Sequence, residues 1–207
     1  MKYREFEEIS RELVCCMPGF EIKGPLLFRS PIGGILRGIC FDRSADADLF
    51  YVWYFFLPLF MRREDISFTF GNRLWHPRGQ WAWERGMDVL IPDLRRMIER
   101  EVLPFVSKVN TAADVVREAE AHLHYPGPHY LNTLAYALAR AGQTKRSLAA
   151  FDRLLVELDP GVFWQNDLAD EARRFKGLLE TDPDQAQRQL DAWTDESLRN
   201  LRLEKYR

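Results

Sequence analysis

The hydrophobic pattern is densest at Leu49–Met61, LFYVWYFFLPLFM, thirteen residues without a charge. Aromatic and β-branched side chains lose rotamer freedom in a helix but pack well on a pleated surface, so this stretch predicts a strand. Alternation sends Phe50, Val52, Tyr54 and Phe56 to one face and Tyr51, Trp53, Phe55 and Leu57 to the other. Both sets are apolar, which predicts cover on both faces. The run falls short of the roughly 20 apolar residues a membrane helix needs. Pro58 cannot donate to a ladder and predicts a bulge or an edge-facing position late in the strand.

The flanking patterns are shorter. Phe6, Ile9 and Leu13 recur at helical spacing among charges, predicting an amphipathic helix over 2–16 that Pro18 and Gly19 stop. Two strands are predicted over 20–29 and 34–43, with Ser30–Gly33 as the turn. In the second of these, Ile35, Ile39 and Phe41 share a face. Residues 44–48 read as a loop. Ile66–Phe70 alternates cleanly and predicts a further strand, ended by Gly71 and Asn72.

Helical periods take over from Met87. Leu94, Ile98, Val102 and Phe105 predict a helix within 87–109, with Pro92 at its N1 position and Pro104 as a kink or stop. Thr111 is a candidate N-cap for a helix running to about His124, which the Tyr125–Pro128 turn must break. Leu168, Ala172, Phe175 and Leu179 predict another amphipathic helix. After Asp182-Pro183-Asp184 the pattern predicts one broken or two short helices, with a charged tail that frays. The whole predicts an α+β protein. A small antiparallel β-meander with an N-terminal helix, residues 1–78, precedes a helical C-terminal half, 79–207, with a helical hairpin near 129–160.

That hairpin resembles one tetratricopeptide-repeat unit. Leu131, Leu134, Ala135 and Leu138 stand at its first-helix apolar positions, and Gly142 at its interhelical turn. Ser147, Phe151 and Leu154 follow at second-helix spacing, and Asp159-Pro160 closes the unit. Ser147 replaces the usual alanine, and the closing Asp-Pro comes one residue late. The resemblance implies peptide binding in a concave groove. A lone hairpin cannot bury its apolar face, so residues 112–124 and 163–180 are expected to supply neighbouring helices. Across the first 75 residues, the order helix, Gly19-Phe20, Phe28-Arg29 and a long apolar strand resembles uncharacterised bacterial α/β domains. Some of those domains are associated with toxin–immunity systems, and a regulatory or immunity-type partner is what that implies.

Composition narrows the classes. A formal net charge of −2 and a pI near 6.1 give no global attraction to nucleic acid or anionic membrane. The charged N-terminus MKYREFEEISRELV lacks the apolar core of a signal peptide, which makes the cytoplasm the expected compartment. Cys15, Cys16 and Cys40 make no metal or redox spacing and read as reduced thiols packed as small hydrophobes.

One loop stands apart. Leu74–Gly86 holds half of the six tryptophans, Trp75, Trp81 and Trp83, interleaved with His76, Arg78 and Arg85. Tryptophan and arginine dominate binding hot spots, so these six residues are the candidate partner-binding surface. The competing reading has the tryptophans capping the sheet beneath the next helix. No phosphate loop, nucleophile elbow or metal-ligand spacing is found, and His122 and His124 would point apart on a helix. The chain therefore reads as a non-catalytic protein-interaction module without cofactor or metal, with a protein partner or a second copy of itself. The alternative is a small-molecule-binding protein or enzyme whose pocket, between sheet and helices, uses Arg37, Arg73, His76 or Arg78. Nucleic-acid binding would need Arg62, Arg63, Arg73, Arg78 and Arg85 on one face.

Overall fold

A computed structural model of the chain describes residues 3–46, 48–77, 79–82, 86–122 and 127–207. The protein is α+β, with an open antiparallel sheet and an N-terminal helix. The chain divides into two compact units. The first holds residues 1–57, 66–109 and 205–207, and the second 58–65 and 110–204. The break after Val109, in place of one near residue 78, keeps the helices that follow the tryptophan-rich loop with the sheet.

In the first unit, α1 (Tyr3–Val14) buries Phe6, Ile9 and Leu13, the positions its periodicity marks. Strands β1 (Phe20–Lys23), β2 (Leu26–Arg29), β3 (Ile35–Arg43), β4 (Leu49–Pro58) and β5 (Gly71–Arg73) pair in that order, and β6 (Trp81–Ala82) also pairs with β4. The single strand predicted over 20–29 is instead a hairpin, with Lys23 opposite Leu26. Gly24, at φ 56°, supplies the left-handed residue that the tight turn requires. Gly38 sits opposite Phe28 where a Cβ would come within 2.2 Å of the Leu27 carbonyl oxygen, so only glycine permits that close approach.

β4 lies between β3 and the short strands β5 and β6, and ends on Pro58, where a missing N–H costs the ladder least. Its even face joins Phe50 and Val52 to Phe6, Ile9, Leu13, Leu27, Ile39 and Phe41 beneath α1 and α2 (Met87–Met97). Phe6 stacks on Phe41 at 5.9 Å, and Phe50 on Trp81 at 6.4 Å. Its odd face is uneven: Phe55 and Leu57 are buried, Tyr51 and Trp53 only half-buried. The strand predicted at Ile66–Phe70 does not form. Phe68 stacks on Trp53 at 5.0 Å, Phe70 stacks on Phe56 at 4.8 Å, and the short ladder follows at β5. The Phe70 carbonyl accepts the Phe56 amide at 3.1 Å, while Phe68 is held to β4 by its ring.

Pro92 lies inside α2, not at N1. Further on, a π turn at Ile98–Val102 precedes α3 (Leu103–Ser107), with Pro104 at its second position. Five-residue closure widens the helix where the proline ring would strike the carbonyl four residues back. The last residues do not fray. Lys205–Arg207 belong to the sheet unit, where the Tyr206 carbonyl accepts the Ile32 amide at 2.9 Å and its ring meets Phe28 edge-on at 4.9 Å.

In the second unit, α4 (Ala112–Ala121) begins with the Thr111 cap: the Thr111 hydroxyl accepts the Asp114 amide, and the Asp114 carboxylate accepts the Thr111 amide. α5 (Pro128–Arg140) and α6 (Thr144–Glu157) form a helical hairpin through Gly142, at φ 72°. The buried Ser147 hydroxyl donates to the Ala135 carbonyl at 2.8 Å, so the pair lies close without an unpaired hydroxyl. α7 (Phe163–Thr181) packs on α6, and α8 (Pro183–Asn200), one unbroken helix capped by Asp182, packs on α7. Tyr136, Phe151, Phe175 and Trp193, one ring from each of α5 to α8, meet at centroid distances of 4.9–5.8 Å. Ser197 on α8 fixes the 58–65 segment, donating to the Met61 carbonyl and accepting the Arg63 amide.

His129 on α5 stacks on Trp164 at 5.0 Å. Burial, and then the nearby Arg63 charge, hold its pKa below the usual 6.5. The unfolded chain therefore takes up a proton first as pH falls. Stability from the neutral ring is complete above pH 6.5 and is lost below it. The melting temperature should fall between pH 7.5 and pH 5.5 by less in His129→Asn than in the wild type. Equal falls would mean that His129 carries none of this dependence.

Candidate functional site

β4 and β5 build a patch on the sheet face opposite α1 and α2. Arg73 stands directly across from Trp53 in the β4–β5 ladder, so both side chains leave by the same face. Tyr51, two residues before Trp53, and Trp75, two after Arg73, extend the row. The Arg73 guanidinium lies 3.8 Å from the Tyr51 ring centroid, 4.8 Å from that of Trp75 and 5.1 Å from that of Trp53. All three lie within cation–π range. Phe68 stacks flat on Trp53 from the other side, so the row has a fixed end. Trp75 is 52% exposed, an unusual cost for so large a ring.

The Tyr51 hydroxyl accepts from the Ser44 hydroxyl at 3.4 Å, but two N–H groups of this patch lack an acceptor. The Arg73 Nε–H and the Trp53 indole N–H are both buried with no acceptor in reach. No carboxylate pairs with Arg73 among the described residues. These two N–H groups are shut from solvent, so an acceptor from outside would meet the terminal nitrogens of the Arg73 fork, which are not among the buried unpaired atoms. The patch thus offers a preoriented cation, held flat on rings, beside an exposed tryptophan.

Of the six residues marked by the sequence, Trp75, His76 and Trp81 are described, and they do not come together. Among these three, Trp75 alone is exposed. Trp81 is buried: its indole donates to the Leu74 carbonyl at 2.7 Å, and its ring packs on Phe50. His76 is also buried, with Nε2 3.4 Å from an Asp93 carboxylate oxygen and its ring edge-on to Trp81 at 4.8 Å. These two belong to the core, the sheet-capping alternative, because β6 turns Trp81 inward beside Phe50. Arg78, Trp83 and Arg85 lie outside the described residues. Arg73 and Tyr51 were missed as partners of Trp75. The signal available was the two-residue spacing of Arg73 and Trp75 on a short strand.

The three described residues of the alternative reading separate as well. Arg37 donates to the Val109 carbonyl at 2.8 Å on the helix side of the sheet, Arg73 lies on the opposite face, and His76 sits in the core. Other concavities are less well equipped. A groove of about 610 Å³ beside α1 and α2 is lined by Glu8, Glu12, Asp88, Met87 and Ile91 and is open to solvent. A cleft of about 290 Å³ in the second unit has Phe175 and Trp193 on its floor. Its charged groups are already engaged: Arg62 pairs with Glu196 at 2.9 Å, and Glu171 accepts the Tyr136 hydroxyl. No described helix is long and apolar enough to cross a membrane.

Comparison with protein-family models, with curated proteins and with solved structures finds no match to this chain.

Burial separates the two tryptophans energetically. Trp81→Ala should cost about 3–5 kcal/mol in chemical denaturation. Trp75→Ala should cost no more than about 1 kcal/mol, the range of surface changes. Equal costs would put Trp75 in the core.

Proposed function

We propose that the protein is a non-catalytic interaction module that captures an acidic protein partner on its sheet face through Arg73 and Trp75. The observation that carries this reading is the Arg73 guanidinium held among three rings without an acceptor. An arginine fork matches a carboxylate bidentately, and stacking fixes its plane in advance, so little freedom is lost on binding. Trp75 supplies the apolar contact beside it, and this pairing of residue types is that of a binding hot spot. The groups best suited to chemistry, His76 and Asp93, are engaged with each other at the edge of the core, which supports binding over catalysis.

The resemblances support the same class. The likeness of the first 75 residues to uncharacterised bacterial α/β domains, some of them associated with toxin–immunity systems, supports an immunity or regulatory role. The α5–α6 hairpin, with its tetratricopeptide-like positions, is a helical scaffold fit for a second contact with peptide. The cytoplasm is the compartment this reading takes.

The test is capture from a lysate of the source organism with three baits at matched concentration: wild type, Arg73→Gln and Trp75→Ala. A partner recovered by the wild type, reduced at least about tenfold by each substitution and weakened by salt, is the expected result. Both variants should keep the wild-type melting temperature to within a few degrees. The same proteins recovered with all three baits would place the contact elsewhere.

A further inference from the structure

Residues 15–17, Cys-Cys-Met, put three sulfur-bearing side chains in a row just after α1. Read from the sequence, these cysteines are buried fillers; the structure exposes both Cys15 and Cys16. The cause is local. α1 ends at Val14, and the chain turns, with the Cys16 and Met17 amides donating to the carbonyls of Leu13 and Val14 at 3.1 and 3.0 Å. Neighbours on a regular helix point about 100° apart. At this turn the two sulfurs instead come to 3.5 Å of each other.

Met17 is buried at the edge of the core. Together with Cys16, Leu13, Arg95 and Glu99 it lines a recess of about 50 Å³. The third cysteine differs: Cys40 is mostly shut from solvent, and burial, with Asp42 nearby, pushes its thiol up to about 12.

We propose that Cys15 and Cys16 form a two-thiolate site for a soft, thiophilic metal ion, with the Met17 thioether as a third donor from the recess. Two sulfurs bound at about 2.3 Å to one ion stand roughly 3.8 Å apart at a tetrahedral angle and about 4.0 Å apart at the trigonal angle of three donors. The 3.5 Å separation already present needs about half an ångström of adjustment at most. Thiolate and thioether donors select soft ions, Cu(I) foremost among the common ones. Cys16 and Met17 both line the recess, and Cys15 stands outside its lining with its sulfur 3.5 Å from that of Cys16, so the ion would sit at the recess mouth. On binding, two S–H bonds give their protons to the solvent and two metal–sulfur bonds form. No oxidation state changes.

The experiment is an anaerobic titration of the full chain with Cu(I) against a competing Cu(I) chelator. One ion per chain and two protons released are expected. Cys15→Ser and Cys16→Ser should each weaken binding more than about 100-fold, beyond the cost of losing an outer-shell partner. Cys40→Ser should leave it unchanged. Met17→Leu, which conserves volume, should weaken it about tenfold. The urea-unfolded chain separates a built site from two merely adjacent thiols, and weaker binding there supports the site. Affinity equal in folded and unfolded chains, or unchanged by Cys15→Ser, would overturn it. Wild-type affinity in Met17→Leu would remove the thioether from the ligand set.

Discussion

The two faces of β4 meet different demands, and the first unit is arranged around that difference. Its even face supplies Phe50 and Val52 to the core shared with α1 and α2. Its odd face is covered only in part, leaving Tyr51 and Trp53 half-buried. A strand cannot slip its register without exchanging the two faces, so burial of the even side fixes what the odd side presents. Arg73 is placed by the same register, opposite Trp53, and its guanidinium finds rings rather than carboxylates. The candidate contact surface is therefore a consequence of core packing on the other side of one strand.

Much of the fold was legible because long periodic patterns leave few choices. Phe6, Ile9 and Leu13 marked α1; the uncharged aromatic run marked β4; Thr111 marked a helix start; Gly142 marked a hairpin turn. The errors fall where one local pattern serves two structures. Alternation at Ile66–Phe70 looks the same whether or not a strand forms, and here Phe68 and Phe70 stack on β4 rings with no strand assigned before Gly71. The apolar run at 20–29 hid a hairpin because Gly24-Pro25 is a short interruption in an extended pattern. Pro92 shows that tertiary packing of Leu90, Ile91 and Leu94 outweighs a missing donor in mid-helix.

The functional surface was harder to read. Clustered tryptophans and basic residues signal a contact site, but composition does not say which rings face inward. β6 recruits Trp81 to the core and His76 packs against it, while Trp75 is the exposed one among the described residues of the loop's candidate set. Arg73 gave no signal by itself, since its significance comes from Tyr51 on another strand, more than twenty residues earlier. Cys15 and Cys16 were misread for a related reason: residue type favours burial, while the end of α1 decides exposure.

The central claim is that Arg73 is held on the sheet face by rings, charged and without an acceptor. NMR of the Arg73 Nε–H in the free protein tests it most directly. The account predicts a resolved, slowly exchanging resonance shifted upfield by ring currents, with the shift reduced in Tyr51→Leu. A resonance at the position and exchange rate of a solvated arginine would contradict it.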